Sequence, residues 1–318
     1  MIRRNGLQIA FVFSFLLTLC RAAGFTTGEL EFTVKFRDEI SSYRMMSVFV
    51  LPNEILKLDI IRGARQGTFS CAVESGKFIA AAATKWQWRA PSDKGLYPIR
   101  IVNPTETDTM VLNVFVMIPY SKLKGEYLNG YRIGNYPTIP LKQLPIYKPP
   151  RGFIEVTKDN EDTYLSPHFK LKQFICKQPS GYPKYIVLRE RLLLKLELTL
   201  AKVNEKGFKC QTFHVMSGYR TPYYNNLIKD VKYSRHVWGG AADIFIDEKP
   251  EDGIMDDLNE DGEIDYRDAK VLYDIIDDMY GKPWYEMFIG GLGRYEKTAS
   301  HGPFVHIDVR GFRARWGK

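Results

Sequence analysis

Apolar and polar residues alternate strictly near the beginning of the chain. From Glu29 to Phe36 every second residue is large and apolar, and the residues between them are polar. A period of two is typical of a β-strand that buries one face. Short strands separated by turn residues predict an all-β, immunoglobulin-like sandwich over residues 25–120. The further strands that this pattern predicts are residues 45–51, 56–60, 69–73, 96–102 and 110–118.

The pattern changes beyond a proline-rich segment. Residues 137–150 contain five prolines, a density that disfavours helices, so we place a linker at residues 121–150. Residues 188–204 have helical composition and spacing, and Gly207 follows as a stop. Shorter segments come next, and two of them, 241–247 and 304–309, alternate like strands. Residues 151–318 are therefore expected to form an α+β domain.

The first 23 residues have the features of a secretory signal peptide. Two arginines are followed by an apolar run and then by small residues suited to cleavage. The run is shorter than the roughly 20 residues that a transmembrane helix needs, which makes an uncleaved anchor the weaker alternative. Acylation at Cys20 is disfavoured because Leu19 stands where a small residue is required. We predict an exported protein of the periplasm or cell envelope, with no membrane attachment after cleavage.

Length and charge narrow the classes of function. At about 100–200 residues per domain, a chain of 318 residues predicts two domains. The formal charge of +8 falls to +5 once the leader removes Arg3, Arg4 and Arg21 and no acid. A charge this small and dispersed argues against nucleic acid as a partner. It is compatible with contact to an anionic polymer such as a cell wall.

Three cysteines remain after the leader. Export into an oxidising compartment makes a disulfide between Cys176 and Cys210 possible. Cys71 would then be an unpaired, buried apolar residue.

Histidine is scarce, and all five histidines lie beyond the predicted linker. His236, Asp243 and His306 supply two nitrogens and one oxygen, the protein ligands that a catalytic zinc site needs beside an open position. A Gly-Gly pair allows the chain to turn between the first two of them. The other two fall on segments predicted as strands, which would bring them to adjacent strands of a sheet. His168 and His214 lack such partners and are interpreted as structural.

Three sequence blocks surround these residues: S-G-Y-R-T from Ser217, S-R-H-V-W-G-G-A-A-D from Ser234, and H-I-D from His306. They resemble the D-alanyl-D-alanine carboxypeptidase family of zinc peptidases, in the group that also includes lysostaphin and Hedgehog domains. The resemblance covers about residues 151–318 and implies a central antiparallel sheet with helices. It implies nothing about residues 25–150.

The resemblance also implies roles for individual residues. His236, Asp243 and His306 would bind zinc, and the Arg220 guanidinium would bind the substrate. Such a cation can hold a carboxylate or a developing oxyanion. His301 would stabilise the transition state or move a proton.

Further residues of the same blocks have supporting roles. Asp308 would orient a ligand imidazole, as carboxylates near metals commonly do, and a purely structural salt bridge is the alternative. Ser217 and Tyr219 are secondary candidates for substrate binding. Other branches of the family use a glutamate base, but Pro303 stands at that position here, with Glu296 a distant substitute.

Residues 257–268 match the twelve-position calcium loop of EF-hand and dockerin modules. Gly262 stands at the sharp turn, and a helix is predicted at residues 269–279. An acidic, solvated turn is the alternative. A single loop inside an enzyme is expected to stabilise its segment. The residues expected to bind calcium are Asp257, Asn259, Asp261, Glu263 through its backbone carbonyl, Asp265 and Asp268.

Together these features predict an exported zinc metallopeptidase that hydrolyses peptidoglycan peptides, with a structural calcium ion. It would either trim terminal D-alanine or cut crosslinks, and the residues do not distinguish carboxypeptidase from endopeptidase. The alternative is a non-catalytic, metal-stabilised module, similar to Hedgehog domains, that binds the cell wall or a protein.

Overall fold

The computed structural model describes residues 25–63, 69–103 and 108–317. The leader predicted at residues 1–23 lies outside this part of the chain. The described fold is rich in β-sheet and contains three α-helices. The strands before residue 117 are β1 (Glu29–Phe36), β2 (Glu39–Tyr43), β3 (Met45–Val50), β4 (Ile55–Arg62), β5 (Ser70–Val73), β6 (Lys77–Ala81), β7 (Lys85–Arg89), β8 (Gly95–Val102) and β9 (Thr109–Val116).

These nine strands form two sheets, with the orders β2-β1-β4-β7-β6 and β3-β9-β8-β5. Neighbouring strands are antiparallel except for β3 and β9, which run parallel. The apolar side chains of β1 are buried and its polar residues are more exposed, which confirms the strand predicted from the alternation. The other five predicted strands are confirmed as β3, β4, β5, β8 and β9, whereas β2, β6 and β7 were not predicted.

The second half contains short strands, three helices and one larger sheet. None of the described helices combines the length and apolarity needed to cross a membrane. The elements are β10 (Ile118–Pro119), β11 (Tyr127–Leu128), β12 (Tyr131–Arg132), β13 (Gly152–Val156), β14 (Tyr164–Ser166), β15 (Phe169–Lys170), β16 (Lys184–Ile186), α1 (Glu190–Glu205), β17 (His214–Ser217), α2 (Pro222–Leu227), β18 (Ala241–Phe245), α3 (Tyr266–Asp277), β19 (Gly291–Tyr295), β20 (Phe304–Asp308) and β21 (Ala314–Trp316).

The larger sheet has the order β17-β18-β20-β19-β21 and positions the candidate site. Its strands are antiparallel except for the β19–β21 pair. Both β18 and β20 are buried along their whole length, so they lie inside the fold. The segments predicted at 241–247 and 304–309 are therefore confirmed as neighbouring strands.

Helix α1 belongs to the second half of the chain and contacts the first half. Its leucines at 192, 193, 196 and 200 are buried, as the helical spacing predicts. It begins at Glu190, two residues later than predicted, because Arg189 has an extended backbone. The Glu190 carboxylate accepts a hydrogen bond from the backbone N–H of Phe49 at 3.1 Å. Arg191 pairs with Glu39 at 2.8 Å, so the start of α1 is held against the β-sheets of the first half.

The proline-rich segment 121–150 packs on the second half. Tyr136 and Tyr147 are both buried. The Tyr136 hydroxyl donates to the carbonyl oxygen of Val237 at 3.0 Å, and the Tyr147 ring meets the Trp238 ring at a centroid distance of 5.2 Å. The Trp238 indole N–H donates to the carbonyl oxygen of Lys148 at 3.0 Å. The segment thus fixes the turn that carries His236.

The three described cysteines are free thiols. The Cys210 thiol donates to the carbonyl oxygen of Thr212 at 3.1 Å, and the Cys176 thiol lies against the side chain of Gln178. The possible disulfide between Cys176 and Cys210 is not formed. Cys71 is only partly buried, so the expectation of a buried residue is wrong.

Candidate metal centre

Three side chains from separate segments converge in the second half of the chain. Asp243 on β18 and His306 on β20 are register partners across the sheet. His236 lies in the 3-10 turn Arg235–Trp238, which ends at Gly239 in the left-handed conformation, with a φ of 61°. This turn brings His236 over the two strands. All three side chains are buried.

The three ligand atoms form a small triangle. His236 Nε2 lies 3.1 Å from both Asp243 Oδ1 and His306 Nδ1, and His306 Nδ1 lies 2.8 Å from Asp243 Oδ1. Ligands bound to a tetrahedral zinc ion at about 2.0–2.2 Å would be about 3.3–3.6 Å apart. A small expansion of the triangle would therefore admit a metal ion, and the group could hold one. No other group of this kind occurs among residues 25–63, 69–103 and 108–317.

The remaining ring nitrogens of both histidines face hydrogen-bond acceptors. His236 Nδ1 lies 2.7 Å from the carbonyl oxygen of Gly218, and His306 Nε2 lies 3.2 Å from Asp308 Oδ2. With one hydrogen on each of these two nitrogens, the lone pairs of the other two ring nitrogens would face the Asp243 carboxylate and be free to bind a metal ion. The Asp243 carboxylate can also accept a hydrogen bond from each ring, at 3.1 Å from His236 and 2.8 Å from His306. Although burial opposes it, hydrogen bonds to Asp243 and Asp308 raise the pKa of His306.

Arg220 binds the carboxylate oxygen of Asp243 that does not face the histidines. Arg220 Nη2 donates to Asp243 Oδ2 at 2.6 Å, leaving Oδ1 toward the histidines. Although burial opposes it, His236 and His306 hold the pKa of the Asp243 carboxyl well below its usual range. Burial lowers the pKa of His236, which favours the neutral ring that binds metals. The metal group is thus composed of one carboxylate and at least one neutral imidazole.

Arg220 has further partners beside Asp243. Its Nη1 donates to Asp230 at 2.7 Å, and its Nε donates to the Ser217 hydroxyl at 2.8 Å. Three of its N–H donors are therefore used within the protein, and one of them holds Asp243 of the metal group. Ser217 acts through this contact, whereas Tyr219 is buried and shares a 2.9 Å hydrogen bond with the Tyr136 hydroxyl.

Asp308 is buried behind His306. Its carboxylate also accepts hydrogen bonds from the backbone N–H of Gly291 at 2.8 Å and from Arg310 Nε at 2.8 Å. Against the effect of burial, His306 and Arg310 hold the pKa of Asp308 well below its usual range. A Cβ atom at Gly291 would lie 2.3 Å from Asp308 Oδ2, so glycine is required there. Arg310 and Gly291 were not predicted as site residues: the Gly291 contact crosses from β19 to β20, and Arg310 contacts Asp308 from two residues further along the chain.

A cavity of about 680 Å³ opens beside the metal group. His301 is half-buried in its wall, edge-on to the Phe304 ring at 5.0 Å, with its Nδ1 2.8 Å from the carbonyl oxygen of Gly302. Of the three residues predicted to bind substrate, Arg220 lines this cavity, while Ser217 and Tyr219 are not part of its wall. Aromatic and cationic residues that were not predicted also line it, namely Tyr147, Lys232, Tyr233, Arg235, Tyr295, Phe304, Arg310 and Trp316.

The predicted calcium loop is closed by its own hydrogen bonds. Gly262, with a φ of +87°, makes the sharp turn, and its N–H donates to Asp257 at 2.7 Å. Asp268 is fully buried and accepts from the backbone N–H of Leu258 and of Asp265, each at 2.8 Å. Arg267 pairs with three of the loop acids, at 2.7 Å to Asp261, 2.8 Å to Glu263 and 2.9 Å to Asp265. Asn259 lies in the same network, its amide donating to Asp261 at 3.0 Å.

No protein-family model matches this chain, and a search of the curated proteins finds no match. Two imidazole nitrogens and one carboxylate oxygen meet at the edge of a cavity that is large enough for a peptide segment. This arrangement suits a metal ion with one position left for water or substrate.

Lys195 on α1 packs against the backbone of Asp308, and its burial predicts how stability depends on pH. Its ammonium group is fully buried and donates to the carbonyl oxygen of Asp308 at 2.8 Å. Burial, only partly offset by the Asp308 carboxylate, lowers the pKa of Lys195 to about 7. An unfolded chain has a lysine pKa near 10.4 and so binds more protons than the folded protein above pH 7.

The free energy of unfolding is therefore expected to rise with pH from about 7 to 10, by up to about 1.4 kcal/mol per pH unit from Lys195 alone. Lys195→Met should lack this contribution. Urea unfolding of both proteins at pH 6, 8 and 9.5 measures the difference. Parallel pH profiles would contradict a depressed lysine pKa.

Proposed function

We propose that the chain is an exported zinc metallopeptidase of the D-alanyl-D-alanine carboxypeptidase family, acting on peptidoglycan peptides. The observation that carries this proposal is the buried triangle of His236, Asp243 and His306 at the edge of a cavity. The order and spacing of the three sequence blocks support the family. The proposed location is the periplasm or cell envelope, and the proposed partner is the wall peptide itself.

The donor set favours zinc over the harder cations. Imidazole nitrogen suits zinc, while calcium and magnesium prefer oxygen ligands. A zinc ion held by His236, Asp243 and His306 would supply Lewis acidity, which lowers the pKa of bound water to about 7 and polarises a peptide carbonyl. Because the three ligand side chains are buried, the protein shields the metal-binding atoms from bulk solvent.

The protein's own residues prepare the site. Asp308 and the Gly218 carbonyl hold His306 and His236 in the tautomers that offer their free nitrogens to a metal. Arg220 holds the second oxygen of Asp243. His301 is the best placed group in the cavity wall to carry a proton or to stabilise developing charge. The family's alternative base position is occupied by Pro303, which cannot accept a proton.

For the first half of the chain we propose an immunoglobulin-like sandwich that acts as a spacer or binding module. Its two sheets and the alternating burial of its strands support this architecture. The proposed division is a sandwich at 25–120, a connecting segment at 121–150 and a peptidase domain at 151–318. The ion pair between Arg191 and Glu39 supports a fixed placement of the two parts.

Metal removal tests the proposed function. The protein is treated with a chelator, dialysed, and assayed on purified peptidoglycan with and without added zinc, with the products identified by mass spectrometry. We expect the chelated protein to be inactive and zinc to restore cleavage, because the ligand triangle otherwise lacks its cation. Zinc-loaded protein that binds wall material but cleaves none of its peptides would favour the non-catalytic, Hedgehog-like alternative.

We further propose that residues 257–268 bind a structural calcium ion. Saturating calcium, at about 100 times the dissociation constant, would stabilise the folded state by about 2.7 kcal/mol. For a protein of this size we expect the melting temperature to rise by about 5 °C. Asp257→Ala should remove that rise and leave zinc content unchanged. An equal response of wild type and variant to calcium, measured by scanning calorimetry, would place the effect elsewhere.

A further inference from the structure

The metal group belongs to a row of paired residues that crosses the larger sheet. Asp243 on β18 pairs with His306 on β20, and His306 pairs with Gly293 on β19. Gly293 pairs in turn with Trp316 on β21. Residues paired directly across neighbouring strands share one face of a sheet. The Trp316 side chain therefore lies on the face that carries the metal group, and its ring centre is 5.1 Å from that of His306.

The missing side chain at Gly293 leaves room for the Trp316 indole. A Cβ atom at Gly293 would lie 2.2 Å from Trp316 Nε1, so the indole nitrogen lies directly over this glycine. The guanidinium carbon of Arg310 lies 5.1 Å from the centre of the Trp316 ring. These contacts hold the indole N–H one strand away from His306.

The Tyr295 hydroxyl accepts that N–H. Trp316 Nε1 donates to the Tyr295 hydroxyl oxygen at 2.8 Å. Tyr295 follows Gly293 by two residues on β19, so it lies on the same face of the sheet. Its ring stacks on that of Phe304, with centroids 4.5 Å apart and an interplanar angle of 8°. The side chain is 37% exposed and lines the cavity beside the metal group, so a ligand in the cavity can reach it.

The Tyr295 hydroxyl keeps a hydrogen that it can donate. An indole N–H can only donate, so the phenol oxygen is the acceptor in this bond. Among the residues that the structure describes, the hydroxyl hydrogen has no acceptor. Burial raises the pKa of Tyr295, the Trp316 N–H opposes this, and the carboxylates of Asp243 and Asp230 raise it further. The phenol is therefore protonated near neutral pH and available as a donor.

The two predicted residues in the cavity wall offer different chemistry. Three donors of Arg220 are already used within the protein. His301 Nδ1 donates to the carbonyl oxygen of Gly302, so the other nitrogen of the neutral ring accepts a hydrogen bond or takes up a proton. Tyr295 adds an uncommitted donor to this wall.

We propose that Tyr295 is a catalytic residue whose hydroxyl donates a hydrogen bond to the carbonyl oxygen of the scissile peptide bond, and that Trp316 positions it. This inference rests on the proposed peptidase function. When water attacks the carbonyl carbon, an electron pair moves onto the carbonyl oxygen, and a donated hydrogen bond strengthens as that charge develops. The pair returns when the C–N bond breaks, so Tyr295 keeps its hydrogen throughout. The Trp316 N–H strengthens the donor by polarising the hydroxyl.

Steady-state kinetics on wall peptides test the role of the hydroxyl. We expect Tyr295→Phe to lower kcat by about 100-fold and to leave KM within about 3-fold, because the hydrogen bond strengthens only in the transition state. Zinc content and melting temperature should match those of wild type. Tyr280→Phe is the matched control, since Tyr280 is 41% exposed and lies outside the wall of the cavity. Its kcat should stay within about 2-fold of wild type.

A double-mutant cycle tests the role of Trp316. Trp316→Phe keeps an aromatic ring and removes the N–H, and we expect it to lower kcat by about 3- to 10-fold. In a Tyr295→Phe background the same change should cost less than about 2-fold, because its effect passes through the hydroxyl. Equal losses in both backgrounds would show that Trp316 does not act through Tyr295.

Binding of a phosphinate analogue of D-alanyl-D-alanine tests the assignment without turnover. Its tetrahedral, anionic group replaces the scissile carbonyl, and calorimetric titration compares it with the dipeptide itself on zinc-loaded protein. We expect Tyr295→Phe to weaken binding of the phosphinate by at least about 10-fold and that of the dipeptide by less than about 3-fold. Equal weakening of both ligands would show ordinary substrate binding and overturn the catalytic role.

The kinetic outcomes separate the two proposals. An active wild type with an equally active Tyr295→Phe variant leaves the peptidase proposal standing and this inference wrong. A Tyr295→Phe variant that loses zinc or melts at a lower temperature in proportion to its lost rate shows a structural tyrosine and also overturns it. A zinc-loaded wild type that hydrolyses no wall peptide overturns the peptidase proposal, and the catalytic role of Tyr295 fails with it.

Discussion

His236→Ala is expected to lose bound zinc and to reduce hydrolysis of wall peptides by more than about 100-fold. Loss of a group that merely orients a metal ligand costs about 10- to 100-fold, so loss of the ligand itself should exceed that range. The two remaining ligands, Asp243 and His306, cannot complete a site with three protein donors. Metal analysis of the purified variant and the initial rate of peptide release measure the two effects.

His214→Ala is the matched control. His214 is also a histidine paired with a carboxylate, lying 3.1 Å from Asp247 and stacked on the Phe245 ring at 4.4 Å. It lies outside the wall of the metal cavity. We expect its zinc content and its rate to stay within about 2-fold of wild type, as for other changes remote from a site. A metal-free His236→Ala protein that keeps the wild-type rate would refute the zinc mechanism.

Gly239→Ala is expected to destabilise the protein by about 2–5 kcal/mol and to weaken zinc binding. Gly239 has a φ of 61°, where an L-residue with a Cβ costs about 1–2 kcal/mol. Its Cβ would lie 2.1 Å from the carbonyl oxygen of Val187, and a clash with backbone adds about 1–3 kcal/mol. The turn would have to move to relieve the clash, and His236 moves with it. Urea unfolding and competition for zinc with a chelator measure stability and affinity.

Gly125→Ala separates backbone strain from the clash. Gly125 has nearly the same φ, 59°, and a Cβ there would meet nothing within 4 Å. We expect this control to cost only the strain, about 1–2 kcal/mol, and to leave zinc affinity unchanged. Equal destabilisation by the two substitutions would show that contact with Val187 is unimportant to the turn.

Local periodicity predicted much of the fold. The strand at Glu29–Phe36 was predicted to the residue, because a side chain that alternates between core and solvent leaves a period of two in the sequence. The helix at Glu190–Glu205 was predicted within two residues at its start. Strand β7 was not predicted, although Trp86 and Trp88 alternate with polar residues and so carry the same pattern.

The three residues of the metal group are recognisable in the sequence alone, since spacing and residue type are properties of the chain. Their convergence depends on the register that pairs Asp243 with His306 and on the left-handed turn at Gly239. The sequence predicted that these two strands are adjacent, but not which residues pair across them. The hydrogen bonds that set the histidine tautomers come from Gly218 and Asp308, and the first of these could not be anticipated.

The sequence by itself determined which residues carry ligand chemistry and which segments bury one face, because both follow from side-chain type and short-range spacing. Only the tertiary structure decided what each charged group faces. Arg220, expected to bind substrate, is engaged by Asp230 and Asp243, while Arg235 is left with two unpaired nitrogens among the described residues. Pairing of charges is a matter of distances of about 3 Å between residues remote in the chain, and such distances are set by packing alone.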